Sequence, residues 1–166
     1  MIQLLKKYLH IGGAITFIAA YMTADSESWR LIHTYFGYGF GIIFLIRILI
    51  GLIPKPSLSL RMILARALLI KRIFQHIKKF EFAQIVKWQI WYGSTMGILV
   101  VLMYSLSIPL VLFGIGAYEE VGGKWLVKLY ENGHEFIGEL YLFVIFTHLG
   151  IVILKNLLVK KSVKYG

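Results

Sequence analysis

The hydrophobic pattern of this chain consists of long apolar runs rather than short amphipathic ones. Four stretches, about residues 5–24, 31–53, 89–116 and 134–159, are apolar over most of their length. Several exceed the roughly 18–20 residues that a helix needs to cross the hydrocarbon core of a bilayer. The first is the shortest, with Lys6, Lys7 and His10 near its start. The second stops at Pro54-Lys55-Pro56, a proline pair that ends helices. The third holds Pro109, where a kink is expected. The pattern predicts an all-α membrane protein, a bundle of four transmembrane helices forming a single domain over residues 1–166.

Two intervening segments have a different texture. Residues 57–87 intersperse Arg61, Arg66, Lys71, Arg72, Lys78 and Lys79 with Leu, Ile and Phe, the pattern of a basic amphipathic helix lying in the interface. Residues 117–133 set Trp125, Leu126, Leu129 and Tyr130 among acidic and basic neighbours. They predict an outer loop with a short surface helix and an aromatic anchor.

Composition sharpens this picture. Of 166 residues, 58% are hydrophobic and none is cysteine; the mean hydropathy is +0.75. Without cysteine there are no disulfides, thiolate zinc sites, iron–sulfur clusters or covalently attached haem, which leaves histidine as the transition-metal ligand. The first run lacks a small-residue cleavage signature and reads as a retained span. The net charge of +10 is compatible with nucleic acid, but its placement points elsewhere. Fourteen basic residues flank the spans on the side of the termini and the 54–88 segment, against Arg30, Lys124 and Lys128 on the other. The positive-inside rule then puts both termini in the cytoplasm. The partner implied is membrane lipid, not nucleic acid.

The candidate chemistry lies in Gly133–Gly150, GHEFIGELYLFVIFTHLG, where His134 and His148 stand fourteen residues apart. On a helix that spacing is about 21 Å of rise, with the second side chain within about 40° of the first. Depth pairs His134 with His33 near the outer side, and His148 with His10 near the cytoplasmic side. A single histidine at a span end is commonly an interfacial hydrogen-bonding residue. Two depth-matched pairs, one including His148 deep in apolar sequence, point instead to metal ligation. No carboxylate or thiolate at matching depth completes a bare zinc or iron site. A bis-histidine b-type haem needs only two imidazoles and an apolar slot. Gly37, Gly138 and Gly13 sit three or four residues after His33, His134 and His10, on the same helical faces, and offer that room. Close helix packing accounts for such glycines equally well. Arg47, fourteen residues after His33, lies at the inner level. It suits a haem propionate or a snorkel to lipid headgroups. His76 lies in the basic segment and is not counted as a ligand.

The stretches LHIGGA at 9–14, RLIHTYFGYGFGIIFLIRILIGL at 30–52 and GHEFIGELYLFVIFTHLGIVI at 133–153 resemble the bacterial di-haem cytochrome b561 family, which includes the b-type cytochrome subunits of nickel–iron hydrogenases. The resemblance implies two b haems, His10 and His148 holding the cytoplasmic-side one and His33 and His134 the outer one. Such proteins sit in the bacterial inner membrane as multi-pass proteins. They relay electrons between a periplasmic redox protein, such as hydrogenase subunits, and the quinone pool, so quinone is a further candidate ligand. Residues 57–87 and 118–132 match no motif of the family. A self-contained quinone reductase using a small donor such as superoxide is the alternative, and a non-redox scaffold or transporter subunit is a third reading. Assembly as a homo-oligomer is left open.

Overall fold

The computed structural model describes residues 2–53, 60–68 and 88–164, all of whose regular structure is helical. Most of the basic segment, together with His76 and the proline pair, lies outside the described residues. Helix α1 spans Ile2–Met22, and a 3₁₀ turn at Glu27–Trp29 leads into α2, Arg30–Leu52. Helix α3 is Leu60–Leu68, α4 is Trp88–Tyr118 and α5 is Lys124–Lys164. Among the described residues, three helices are long and apolar enough to cross a membrane, within Glu27–Leu52, Tyr92–Tyr118 and Lys124–Leu157. The shorter α1 carries Lys6, Lys7 and His10 and packs along α2.

The packing is that of two antiparallel pairs. Helix α1 lies on α2, α4 lies on α5, and α2 touches α4. One end of the bundle, the loop end, holds the connections 23–29 and 119–123; the other holds both termini. Helix α3 packs on α4 where Gly97 is buried. A methyl group built there would come within 2.5 Å of the Ala67 amide nitrogen, so only glycine permits the approach.

One feature differs from the sequence pattern. Residues from Lys124 onward, expected as a separate surface helix within an outer loop, are the first turns of α5, which runs unbroken for 41 residues. The turn that makes the α4–α5 link short is built from backbone bonds. Val121 N–H donates to Gly116 C=O at 3.0 Å and Glu120 N–H to Ala117 C=O at 3.4 Å, a Schellman closure with Glu120 at the left-handed position, φ 52°.

The bundle is apolar on its outer surface, unlike a water-soluble one. Its most buried side chains include Ser94 and Ser107, while Phe136, Phe143 and Phe146 of α5 point outward, Phe143 with 68% of its surface exposed. An outward apolar surface of this extent suits hydrocarbon, where it has nothing to gain from burial.

Candidate functional site

The site is built on a seven-residue register. Seven residues of helix advance about 10.5 Å and fall about 20° short of two full turns, so every seventh side chain lies almost directly above the last. On α1 the register reads His10 and Phe17; on α2, His33, Phe40 and Arg47; on α5, His134, Tyr141 and His148. Because α1 and α2 are antiparallel, these residues meet in three layers.

At the loop end the rings of His33 and His134 face each other, centroids 5.8 Å apart and nearly perpendicular at 88°. At the termini end the rings of His10 and His148 stand 6.4 Å apart. Between them lies an aromatic layer: Phe17 to Tyr141 at 4.9 Å, Phe17 to Phe40 at 5.7 Å and Phe40 to Tyr141 at 5.7 Å. All three are buried, and with Leu110 they form the core cluster. Tyr141 would carry an unpaired hydroxyl into that core were it not for Ser107, whose Oγ lies 3.2 Å away. Ser107 spends its single hydrogen on the Met103 carbonyl at 2.6 Å, so the phenol is the donor between the two hydroxyls.

The imidazoles of the loop-end pair are held from behind. His33 Nδ1 donates to Ala20 C=O at 2.8 Å, and His134 Nδ1 donates to Leu110 C=O at 2.9 Å. Ala20 lies in the last turn of α1, and its carbonyl accepts the Thr23 N–H at 3.2 Å as well as the imidazole. With the hydrogen on Nδ1, each ring turns an Nε2 lone pair toward the space between them. A cavity of about 610 Å³ opens there, lined in part by both histidines, Gly37 and Gly138. A methyl built on Gly37 would meet no atom within 4 Å, and one on Gly138 only Leu110 Cδ1 at 3.8 Å. These two glycines face open volume. Gly13 does not: a methyl there would meet Ile43 Cγ2 at 3.5 Å, so it serves the packing of α1 on α2.

The termini-end pair is held differently. Arg47 Nη1 lies 3.2 Å from His10 Nδ1, with its guanidinium over the Tyr104 ring at 5.9 Å. His148 Nδ1 is buried with no hydrogen-bond partner. Lys155, one further heptad along α5, sits over Tyr92 at 4.7 Å.

A model of the prokaryotic cytochrome b561 family matches residues 3–165. The chain belongs to that family. It is a multi-pass membrane b-type cytochrome of electron transport, and the family binds b haem through histidine. No curated protein and no solved structure matches the chain.

The residues of this cytochrome fit the group its family binds. Two imidazoles on opposite sides of one metal ion, each nitrogen about 2 Å from it, have ring centroids about 6 Å apart. Both pairs stand at that separation without rearrangement of their helices. Among the described residues no group of three or more His, Cys, Asp or Glu could hold a bare ion, so a pair suits a metal that brings its remaining ligands with it. The cavity at the loop end lies within the 300–1,000 Å³ range of ordinary cofactor pockets.

Three sets of contributors were not singled out by the sequence pattern. Phe17, Phe40 and Tyr141 carry a detectable signal, since each stands seven residues from a histidine. Gly114 carries none: a methyl there would lie 2.8 Å from His134 Cε1 and 3.0 Å from its Nδ1, so this glycine of α4 makes the space the imidazole occupies. The Ala20 and Leu110 carbonyls are backbone atoms whose part depends only on where helices meet.

Proposed function

We propose that this cytochrome is a di-haem electron relay across the bacterial inner membrane. His33 and His134 hold an outer haem, and His10 and His148 hold an inner one. It connects a periplasmic redox partner, hydrogenase-like or cytochrome-like, to the quinone pool. Helix α1 is the fourth span, and both termini lie in the cytoplasm with the basic residues. The observation that carries this reading is the layering: two imidazole pairs at metal-bridging separation, fourteen residues apart along α5, with packed aromatic rings between.

Haem, when bound, would supply the one-electron iron couple. The chain's own residues do the rest. Ala20 and Leu110 carbonyls orient the outer ligands and raise their basicity through the Nδ1 hydrogen, as outer partners of metal-bound histidine do. Gly37, Gly138 and Gly114 keep volume clear beside the outer pair. Phe17, Phe40 and Tyr141 exclude water between the two levels and fill the gap with packed matter. Arg47 is a cation at the inner level suited to a propionate.

The alternative, a self-contained reductase taking an anionic donor such as superoxide at the loop end, is less well supported. Seven of the eight acidic residues, Asp25 and Glu139 among them, lie toward that end and oppose an anion's approach. Quinone reduction by the isolated chain with such a donor would favour it.

The test of the relay is stoichiometric. The purified protein should show reduced b-type bands and two haems per chain by extraction. His134→Leu and His148→Leu should each retain one. Full loss of haem from either variant, or a wild-type ratio of one, would overturn the two-site assignment.

A further inference from the structure

The two histidine pairs share a separation but differ in what their Nδ1 atoms touch, and that difference has a chemical consequence. At the outer pair both Nδ1 atoms face carbonyl oxygens, which only accept. Each neutral ring therefore carries hydrogen on Nδ1 and presents its Nε2 lone pair inward, the form that ligates a metal. At the inner pair His10 Nδ1 faces an Arg47 N–H at 3.2 Å. A guanidinium has five donors and no acceptor, so Nδ1 must be the lone-pair side. The neutral ring then carries its hydrogen on Nε2, the nitrogen that would have to face iron. His148 Nδ1 is buried with no partner, so no neighbour sets that ring's tautomer either.

We propose that the outer site is preformed while the inner site is latched by Arg47, which must release His10 and take an anionic group before both inner imidazoles can ligate. Arg47 is thus a positioning residue with two partners in turn: His10 Nδ1 when the site is empty, a propionate when it is filled. Haem loading is consequently ordered, outer before inner. The inference rests on the ligand assignment proposed above.

Single-site proteins separate its parts. His148→Leu keeps the outer pair and His134→Leu keeps the inner one; each is prepared haem-free in detergent and titrated with haem and with haem dimethyl ester, followed by the bis-imidazole Soret band. The ester lacks the carboxylates, so it meets the latch but not the anion partner. The outer-only protein should bind haem more tightly than the inner-only protein. In the inner-only protein, Arg47→Leu should tighten ester binding about tenfold, the scale of the latch bond released, and weaken haem binding about tenfold net, because a propionate pairing worth about a hundredfold is lost together with the latch. Arg47→Lys should restore much of the haem binding. A merely structural role for Arg47 moves both probes in one direction, and that result overturns the proposal. So does equal affinity at the two sites, or no effect of Arg47→Leu. Folding of the arginine variants is checked by the outer Soret band when the outer pair is intact. Absence of a bis-imidazole band from both single-site proteins would instead overturn the ligand assignment itself.

Discussion

At the scale of single residues, the histidines are ordinary and their neighbours are what specialise them. His134 can stand where it does because position 114 has no side chain and because the Leu110 carbonyl points at its Nδ1. Gly114→Ala should therefore displace the ring, costing about 1–3 kcal/mol of stability as an overpacked contact does. It should also remove the outer haem selectively; denaturation in detergent and haem extraction measure the two effects, and an unchanged ratio of two haems would count against it. Tyr141→Phe is the milder case. It deletes a donor to Ser107 while leaving the ring in the aromatic layer, and should cost about 1 kcal/mol with both haems retained. The histidines, Arg47 and the glycines beside them could be picked out from spacing alone. Gly114 could not, since nothing in the chain's pattern says which residue of α4 will meet α5 at that height.

At the scale of elements, the register is the organising fact. Three helices repeat a histidine and an aromatic at seven-residue intervals, so one rigid geometric property of the α-helix sets both the distance between the pairs and the position of the layer between them. The same scale contains the α4–α5 turn, where Glu120 takes the left-handed conformation that costs a side-chain-bearing residue about 1 kcal/mol or more. Glu120→Gly should relieve it and raise stability by about 1 kcal/mol, seen as a higher midpoint of thermal unfolding with unchanged haem content. An unchanged or lowered midpoint would show that the Glu120 side chain itself stabilises the turn. The continuity of α5 through residues 124–133 was not legible in the pattern, which shows a polar, aromatic-studded segment suited equally to a surface helix. Once Gly123 C=O accepts from Leu126 N–H at 2.8 Å and the backbone turns upward there, helix propagation is the cheapest continuation.

At the scale of the whole molecule, polarity and charge set the orientation. Ser94 and Ser107 are buried while Phe136, Phe143 and Phe146 face outward, and along the sequence the basic residues cluster in the segments beside the termini and after α2. A reporter that is active only in the periplasm should stay silent when fused after Gly166 and become active when inserted at 119–123. The opposite pattern would invert the proposed path of electrons through the bilayer.

What the sequence determined by itself is depth. Helical rise is a property of the backbone, so counting residues along apolar runs sufficed to pair His33 with His134 and His10 with His148. What only the tertiary structure decided is rotation and neighbourhood: that the Ala20 and Leu110 carbonyls stand behind one pair, that Arg47 stands behind the other, and that Gly13 meets Ile43 rather than open volume. Those facts depend on how helices turn about their axes as they pack, and periodicity along one chain segment does not encode the height or azimuth of its neighbour.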